Sequence, residues 1–548
     1  MTRKVLILNV TRMGDLIQTG PLVSRLRHEW PGAQVDLVVD RQFAAMARLL
    51  PGVRATHAFD FGRLMNECRA MSRDVVDLYR EVKYWVEPLC AERYDRLVNL
   101  TFTRRSGLLA SCLNIPDMRG VVCAPDGSTS IRNPWLAYFT DLHRYRRFNR
   151  FNLVDLYALG GSGLGPHAPL ALEIEPSARQ WARECLGGES PEQGWVAVQA
   201  GASETIKAWR PGSFGRVMAR LGSRSHVGFL MIGTDGERSV VQDAVAAYRE
   251  AGGTAPIRDL VGRTGLTQLI AVLAQCRLLL TNDTGPMHMA AAVGTPVIDL
   301  SVGHVDFHET GPYGSGHWVI QPDLDCAPCG FDRVCLHHAC KDRIEVADVA
   351  QLCLHVLGQG DLPQMMTGAK LFESIVDEHG LADYRQRAGR VDEVVEWYGH
   401  WWRRFWLAEF AGCQAFPGQG PEPAPDHLLQ GELLRQLEPI VGALGQAVAD
   451  LERAVLHTPP SARHLQSAHR RLTDLQQRIA DLTECSPALG PLSVALRREL
   501  ACDEGMSVAT MARARGRAFQ RWGERVGRVR RAFRSERRSE VAESVMRD

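Results

Sequence analysis

Short apolar runs alternate with amphipathic stretches along the first 360 residues. Runs such as KVLILNV, QVDLVVD, WVAVQA and RLLLTND have the length of buried strands, and the stretches between them have the apolar spacing of helices. Strands that alternate with helices predict βαβ units and parallel sheets. The pattern predicts an α/β protein with two Rossmann-like domains facing a cleft, at residues 1–165 and 166–360.

The pattern changes after residue 360. A helical extension is expected at 361–412, and the Pro- and Gly-rich run CQAFPGQGPEPAPDH predicts a linker at 413–427. Apolar residues then recur at alternating four- and three-residue steps on both sides of a TPPS break, which predicts a helical hairpin. A third such run and a strongly basic end complete an all-α appendage expected at 428–548.

The basic third run raises three alternatives. Its apolar stripe consists of Phe519, Trp522, Val526, Val529 and Phe533, and residues 513–538 contain 11 arginines against two glutamates. Such a helix can pack on its own hairpin, pair with another helix, or lie on an anionic membrane surface. Of the last two, the repulsion between arginines favours the membrane.

Composition excludes several classes of protein. The 548 residues include 64 basic and 63 acidic side chains, a net charge of +1, which gives no reason to expect nucleic acid as a partner. The first apolar run ends after about seven residues at Arg12 and Asp15, too soon for a signal peptide. We expect a cytoplasmic protein, with any membrane contact peripheral at the inner face.

One turn has the features of an anion site. In TNDTGPMHMAAAVGTPVIDL, residues 281–300, a strand leads into the turn Asn282–Gly285, Pro286 opens a short helix, and Gly294 ends it. Free backbone N–H groups and the positive end of the helix dipole would point outwards there. The alternative is an ordinary strand-to-helix turn capped by Asp283 or Thr284.

Three blocks of sequence together resemble one known family. They are NVTRMGDLIQTGPLVSRLRHEWPGAQVDLVV, VQAGASETIKAWRPGSF and DLVGRTGLTQLIAVLAQCRLLLTNDTGPMHMAAAVGTPVIDL. Their order and spacing are similar to those of glycosyltransferase family 9, the ADP-heptose:lipopolysaccharide heptosyltransferases. The resemblance covers roughly residues 1–360 and implies a GT-B fold, a nucleotide-sugar site in the second domain, and inverting transfer without a bound metal. The first strand lacks the G-x-G-x-x-G turn of dinucleotide cofactors.

The resemblance implies roles for individual residues. Asp15 would be the catalytic base and Lys207 would meet the diphosphate as its charge grows. The donor-binding set would be Ser203, Glu237, Asp283, Thr284, Gly285 and His288. Four of them also have an ordinary structural explanation: Asp15 as a helix cap, Lys207 as a solvated lysine, Glu237 as a first-turn glutamate, and His288 as a core histidine.

Arginines and cysteines supply two further candidates. The run RYRRFNRFN contains Arg144, Arg146 and Arg147, which would bind the carboxylates and phosphates of an anionic acceptor or form a solvated face. The spacing C-x2-C-x5-C-x4-C joins Cys326, Cys329, Cys335 and Cys340, with His337 and His338 as substitutes. Reduced thiols at this spacing suit a structural zinc or iron, and similar clusters in relatives resembling autotransporter heptosyltransferases hold iron. The alternative is four free thiols.

The sequence therefore predicts an inverting glycosyltransferase that moves heptose, or a related sugar, from an ADP-sugar to lipopolysaccharide core or another glycan. The added C-terminal residues leave two alternatives open. One is a heptosyltransferase that acts on a protein, and the other is a catalytically idle relative that serves as a scaffold through its helical arm.

Overall fold

The computed structural model describes residues 2–529 outside several gaps. The gaps are residues 126, 142–144, 188–190, 332–333, 414–426, 457–461, 484–485, 487–488 and 502–512. Most of the predicted linker at 413–427 lies outside the described residues. Arg144 and Phe533 also lie outside them. The chain divides into two compact units. Unit 1 contains Met1–Thr101, Leu113–Arg119 and Arg150–Val391, and unit 2 contains Phe102–Cys112, Gly120–Asn149 and Asp392–Asp548.

The first sheet of unit 1 has parallel strands in the order β3-β2-β1-β4, followed by the start of β5. The strands are β1 Lys4–Leu8, β2 Gln34–Asp40, β3 Val53–Phe59, β4 Arg96–Asn99 and β5 Asp117–Cys123. Helices in this half are α1 Met13–Ile17, α2 Gly20–Glu29, α3 Ala44–Ala47, α4 Phe61–Ala70, α5 Val75–Ala91 and, after an excursion into unit 2, α8 Leu153–Gly161. This strand order is that of a Rossmann-like domain.

The second sheet repeats the order and adds two strands. Its parallel core runs β9-β8-β7-β10-β11-β12, and β13 and β14 extend one edge antiparallel. The strands are β7 Trp195–Gln199, β8 Gly228–Met231, β9 Ile257–Asp259, β10 Leu278–Asn282, β11 Val297–Leu300, β12 Trp318–Pro322, β13 Ala369–Val376 and β14 Ala382–Ala388. The helices are α9 Pro176–Leu186, α10 Pro211–Gly222, α11 Arg238–Glu250, α12 Leu266–Leu273, α13 Gly285–Ala292, α14 Phe307–Thr310, α15 Cys340–Arg343 and α16 Val346–Val356.

The core of the second sheet follows from its apolar strands. Val196, Leu278, Leu280, Ile298 and Leu300 are buried together between the sheet and its covering helices. Helices cover both faces of a parallel sheet, so its strands appear in the sequence as continuous apolar runs. The predicted α/β fold with two Rossmann-like halves is confirmed.

The expected helical extension at 361–412 is only half helical. Residues 369–388 form β13 and β14, and α17 Glu393–Ala411 follows them in unit 2. Asp377 fixes the connecting turn, because its Oδ1 accepts from the backbone N–H groups of His379 and Leu381. The expectation of a fully helical segment was wrong, since a hairpin turn separates two short strands.

Unit 2 is built from a short antiparallel hairpin and a group of helices. The second part of β5 pairs antiparallel with β6 Thr129–Arg132. The helices are α6 Arg104–Leu113, α7 Pro134–Asp141, α17, α18 His427–Leu456, α19 Ala462–Thr483, α20 Gly490–Ala501 and α21 at 513–529. Helices α18 and α19 pack against each other, with Leu444, Leu451, Leu472 and Ile479 among their buried residues, so the predicted helical hairpin is confirmed.

The apolar stripe of α21 is buried within unit 2. Phe519, Trp522, Val526 and Val529 are each at most 2% exposed. Arg525 donates to Glu409 and Glu499 at 2.9 and 2.7 Å, and Arg521 pairs with Glu499 at 2.7 Å. The sequence left three alternatives for this basic run: its own hairpin, another helix or a membrane surface. The described residues show the run packed within its own unit. In the described parts of the chain, no helix has the length and apolar character needed to cross a membrane.

Candidate active site

Helices α1 and α13, one from each Rossmann-like half, pack against each other in unit 1. Each follows the carboxyl end of a central strand, α1 after β1 and α13 after β10. A Cβ atom added to Gly14 would lie 3.1 Å from Cδ2 of His288, and one added to Gly285 would lie 2.8 Å from Cε of Met13. Glycine at both positions therefore allows the helices to approach closely, at the edge where Rossmann-like sheets bind ligands.

Asp15 is the third residue of α1 and is half-buried. Its Oδ2 accepts the backbone N–H of Arg12 at 3.4 Å, which is the capping role. The buried amide of Asn9 donates to the Asp15 carbonyl at 3.2 Å and to Thr19 Oγ1 at 2.9 Å, so the turn is held in place. Among the described residues no donor meets the other carboxylate oxygen, which leaves it available to an acceptor hydroxyl.

His288 connects α13 to α1. It is 5% exposed, and its Nε2 lies 3.4 Å from the Nε2 of Gln18. Burial lowers the pKa of His288, while the charges of Asp283 and Asp15 oppose that shift and Lys207 adds to it. The imidazole is therefore neutral at neutral pH. Because the charges of Asp15, Asp283 and Lys207 act on the same imidazole, these side chains lie in the same region of the molecule as His288.

Asn282 anchors the loop that carries Lys207. This buried side chain accepts the backbone N–H of Trp209 at 2.8 Å and donates to the carbonyls of Ala200 and Gly201, both at 3.1 Å. Lys207 ends the short 3-10 turn Thr205–Lys207 and is half-buried. No ion pair of Lys207 is found within the described ranges, so its charge is available to an anion.

The turn before α13 presents donors. Thr284 is the N-cap with extended backbone. Pro286 has no N–H and the N–H of Met287 donates to the Thr284 carbonyl at 3.1 Å, so the N–H of Gly285 is the first-turn donor that lacks a partner inside the helix. Asp283 is fixed beside this turn by Thr310, whose hydroxyl donates to its Oδ2 at 2.8 Å. Ser203 is exposed in the loop that ends at Lys207. A cation, a helix N-terminus and a polar loop therefore converge, which suits a diphosphate.

Glu237 is engaged in its own turn. Its Oε2 accepts from the backbone N–H and the hydroxyl of Thr234 at 2.7 and 2.9 Å, and its Oε1 accepts from Gln199 at 2.9 Å. These contacts form a capping box, which agrees with the explanation of Glu237 as a first-turn glutamate. Its role on a nucleoside stays a prediction.

Comparison with known proteins shows which family the chain resembles. Residues 84–339 match the family model of glycosyltransferase family 9 (heptosyltransferase). The chain is 25% identical over 289 residues to lipopolysaccharide heptosyltransferase 3 of Escherichia coli, an alignment that covers 52% of this chain and 80% of that protein. Over this range the chain is similar to glycosyltransferase family 9.

A further relative and a solved structure agree with this similarity. The chain is 23% identical over 351 residues to lipopolysaccharide heptosyltransferase 1 of Pseudomonas aeruginosa, covering 63% of this chain and 91% of that one. It shares its fold with the crystal structure of a glycosyl transferase family 9 protein from Veillonella parvula, with a TM-score of 0.50 and 19% identity over 65% of this chain and 98% of that chain. The GT-B fold expected for the first 360 residues is confirmed.

The structure also places residues beside the candidate site that the sequence did not single out. Gln18 contacts His288, Asn282 holds the Lys207 loop, and Thr310 fixes Asp283. The sequence does indicate Asn282, because this residue ends a buried strand directly before the DTGPMH block. It does not indicate Gln18 or Thr310, since their partners are distant in sequence.

The arginines expected to bind the acceptor belong to unit 2. Arg144 lies outside the described residues. Arg146 is buried, and Arg147 is half-exposed and pairs with Asp392 at 3.3 Å. Part of the Arg147 charge is thus already neutralised. Binding of an anionic acceptor by these arginines stays a prediction.

The four cysteines are not arranged as a metal site in the part of the chain that the structure describes. They range from exposed Cys326 to buried Cys340. His337 is occupied by a hydrogen bond from the backbone N–H of Ala339 at 3.1 Å, and Cys335 accepts the backbone N–H of His338 at 3.4 Å. Outside the gaps, no group of three or more His, Cys, Asp or Glu side chains is placed to hold a metal ion. The described residues therefore give no support to the expected zinc or iron, which stays a prediction.

Asp299 is a buried carboxyl group on β11. It is fully buried, and neither carboxylate oxygen has a hydrogen-bond partner among the described residues. Burial, and then the charge of Asp283, raise the pKa of Asp299 well above its usual range, and Lys207 opposes this. The group is therefore a neutral acid in the folded protein at neutral pH.

We expect Asp299→Asn to change how stability depends on pH. Above about pH 4 the unfolded chain releases the Asp299 proton while the folded protein keeps it, so the wild type loses stability as pH rises. The variant has no proton to release there. Urea unfolding between about pH 5 and 8 should show the free energy of unfolding of the variant rising relative to wild type. A difference that is constant with pH would contradict this, and exposed Asp77→Asn serves as the control.

Proposed function

We propose that this enzyme transfers heptose from ADP-heptose, with inversion, to a hydroxyl of lipopolysaccharide core. The match to the family model supports this proposal, and so does the similarity to proteins named lipopolysaccharide heptosyltransferases. The observation that carries the proposal is the meeting of α1 and α13. It brings the carboxylate of Asp15 into the same region as Lys207, Asp283 and His288.

The chemistry needs a base on one side of the sugar and charge stabilisation on the other. Asp15 takes the proton of the acceptor hydroxyl as that oxygen forms a bond to the anomeric carbon. The bond from this carbon to the β-phosphate oxygen breaks on the opposite face, and ADP leaves. Attack opposite the leaving group inverts the anomeric centre.

The leaving ADP gains negative charge, and the second Rossmann-like half supplies the donors. The backbone N–H groups of Thr284 and Gly285, at the start of α13, point towards the site of an anion. Lys207 adds a full positive charge, held by a loop that Asn282 ties to the end of β10. Preorganised donors of this kind stabilise the transition state more than the ground state.

A transfer assay tests the proposal. Purified enzyme is mixed with ADP-heptose and delipidated core oligosaccharide, and ADP release and the mass of the product are followed. The expected product is one heptose heavier, with inverted configuration by NMR. Transfer to a protein alone would reassign the acceptor, and absence of turnover with a panel of nucleotide sugars would support a scaffold instead.

Lys207→Ala should weaken ADP binding and slow turnover. A charged hydrogen bond contributes roughly 1.5–3 kcal/mol, so we expect about tenfold to hundredfold weaker binding by calorimetry. The loss in kcat/KM should exceed the loss in ADP affinity, because the phosphate charge grows in the transition state. Lys83→Ala, at an exposed lysine on α5, is the control. Unchanged kinetics in Lys207→Ala would remove this lysine from the site.

A further inference from the structure

The short helix α15 packs beside the loop that carries Lys207. The Nζ atom of Lys341, on α15, donates to the backbone carbonyl of Thr205 at 2.6 Å. Thr205 begins the 3-10 turn that ends at Lys207, and the N–H of Ala208 donates to the same carbonyl at 3.2 Å. This carbonyl therefore closes the turn and also receives the ammonium group from α15.

The chain on the other side of Lys207 is attached to the same helix. The indole N–H of Trp209 donates to the backbone carbonyl of Lys341 at 2.9 Å. Trp209 is fully buried and packs edge-to-face on Phe214, with ring centroids 5.3 Å apart, so its N–H needs a partner within the protein. Lys341 thus contacts residues on both sides of Lys207, one through its side chain and one through its backbone.

Two further contacts surround the loop. Arg210 forms a bidentate ion pair with Asp342 of α15, in which Nη2 lies 2.6 Å from Oδ2. Both side chains are about half exposed, so water screens this pair and its contribution is small. The turn after β11 approaches the loop closely, because a Cβ atom added to Gly303 would overlap the carbonyl oxygen of Ile206.

The contact of the Lys341 side chain differs from the contacts that Asn282 makes. Asn282 fixes the two ends of the loop, at the carbonyls of Ala200 and Gly201 and at the N–H of Trp209. Among the described residues, Lys341 supplies the side-chain hydrogen bond to the turn that lies between these ends. Because Lys207 is the last residue of that turn, the direction of its side chain depends on how the turn is held.

We propose that Lys341 is a positioning residue for the donor diphosphate. It holds the turn Thr205–Lys207 so that the ammonium group of Lys207 meets the phosphates, and it acts without touching the donor itself. The part of this inference that concerns the diphosphate rests on the proposed function, whereas the part that concerns the turn does not.

Two measurements on the full-length protein test this role. Hydrogen–deuterium exchange follows the amides of residues 203–209, and calorimetry measures the affinity for ADP. Lys341→Met keeps the apolar stem of the side chain and removes the donor, and Lys341→Arg keeps a donor. Lys370→Met on β13 is the matched control, because Lys370 is a partly buried lysine of the same Rossmann-like half that pairs with Asp323 at 3.6 Å. Melting curves give a temperature at which every variant is folded.

We expect Lys341→Met to exchange faster in the loop and to bind ADP about twofold to tenfold more weakly, the range that one hydrogen bond contributes. Lys341→Arg should retain more of the protection from exchange and more of the ADP affinity than Lys341→Met. In a Lys207→Ala background, Lys341→Met should change ADP affinity much less, because Lys341 acts through Lys207. Lys370→Met should match the wild type in both measurements.

The proposal is overturned if Lys341→Met exchanges and binds ADP as Lys370→Met does, or if exchange rises while ADP affinity is kept. It is also overturned if the loss of affinity is as large in the Lys207→Ala background, since Lys341 would then act independently of Lys207. A wild type that binds no ADP, with faster exchange in Lys341→Met, would contradict the proposed function while Lys341 keeps its role in holding the turn. Tight ADP binding that Lys341→Met leaves unchanged would contradict this inference alone.

Discussion

Asp15→Asn should lower kcat by about 100- to 10,000-fold, the range that general base catalysis contributes, while ADP affinity stays near that of wild type. The amide has the size of the carboxylate but cannot take a proton from the acceptor hydroxyl. Asp15 lies on α1 in the first Rossmann-like half, whereas Lys207 and the α13 turn belong to the second. Pre-steady-state turnover and calorimetry with ADP measure the two effects separately.

The capping role of Asp15 provides the control. The amide side chain introduced by Asp15→Asn keeps an oxygen that can accept the Arg12 N–H, so this variant should have a nearly unchanged melting temperature. Asp15→Ala removes the cap as well, which costs about 0.5–2 kcal/mol. If Asp15→Asn turned over at the wild-type rate while Asp15→Ala lost only stability, Asp15 would be a cap and not the base.

The parts of the site that could be predicted are those encoded by local sequence. The strand before Asn282, the helix opened by Pro286 and the glycine after its last residues specify the turn at Thr284 and Gly285 without reference to the rest of the chain. The same holds for Lys207, which follows a buried strand in a polar loop. Local propensity and apolar spacing determine these features.

The other parts depend on contacts between distant residues. Gln18 reaches His288 across 270 positions, and the buried environment of Asp299 is created by neighbours such as Asp283 on a separate strand-to-helix turn. No periodicity marks such contacts. The composition of unit 2 is unpredictable for the same reason, since it joins residues 120–149 to helices that begin after residue 391.

The strands at 369–388 differ from the helical extension that the sequence predicts, for another reason. Their sequence has two short runs on either side of Asp377 and Gly380, and this pattern indicates a hairpin. The tryptophan-rich helix that follows makes the whole segment resemble a helical region. Gly380 has a positive φ of 73°, as turn glycines do.

Asn282→Ala should both destabilise the enzyme and weaken ADP binding. The change leaves the N–H of Trp209 and the carbonyls of Ala200 and Gly201 without their partner in a buried region. Each unpartnered buried group costs roughly 1–3 kcal/mol, so the total loss in the free energy of unfolding should be about 3 kcal/mol or more. Urea unfolding measures it. The loop released by this change carries Ser203 and Lys207, so ADP affinity at a temperature where the variant is folded should fall as well.

Thr295→Val separates the two effects of Asn282→Ala. The hydroxyl of Thr295 donates to the Leu273 carbonyl at 2.7 Å in another buried part of the same Rossmann-like half. Its removal should cost about 1–3 kcal/mol without changing ADP affinity, since no part of the Lys207 loop depends on it. If Asn282→Ala lost stability but bound ADP as tightly as Thr295→Val, Asn282 would support the fold alone, and Lys207 would owe its position to other contacts.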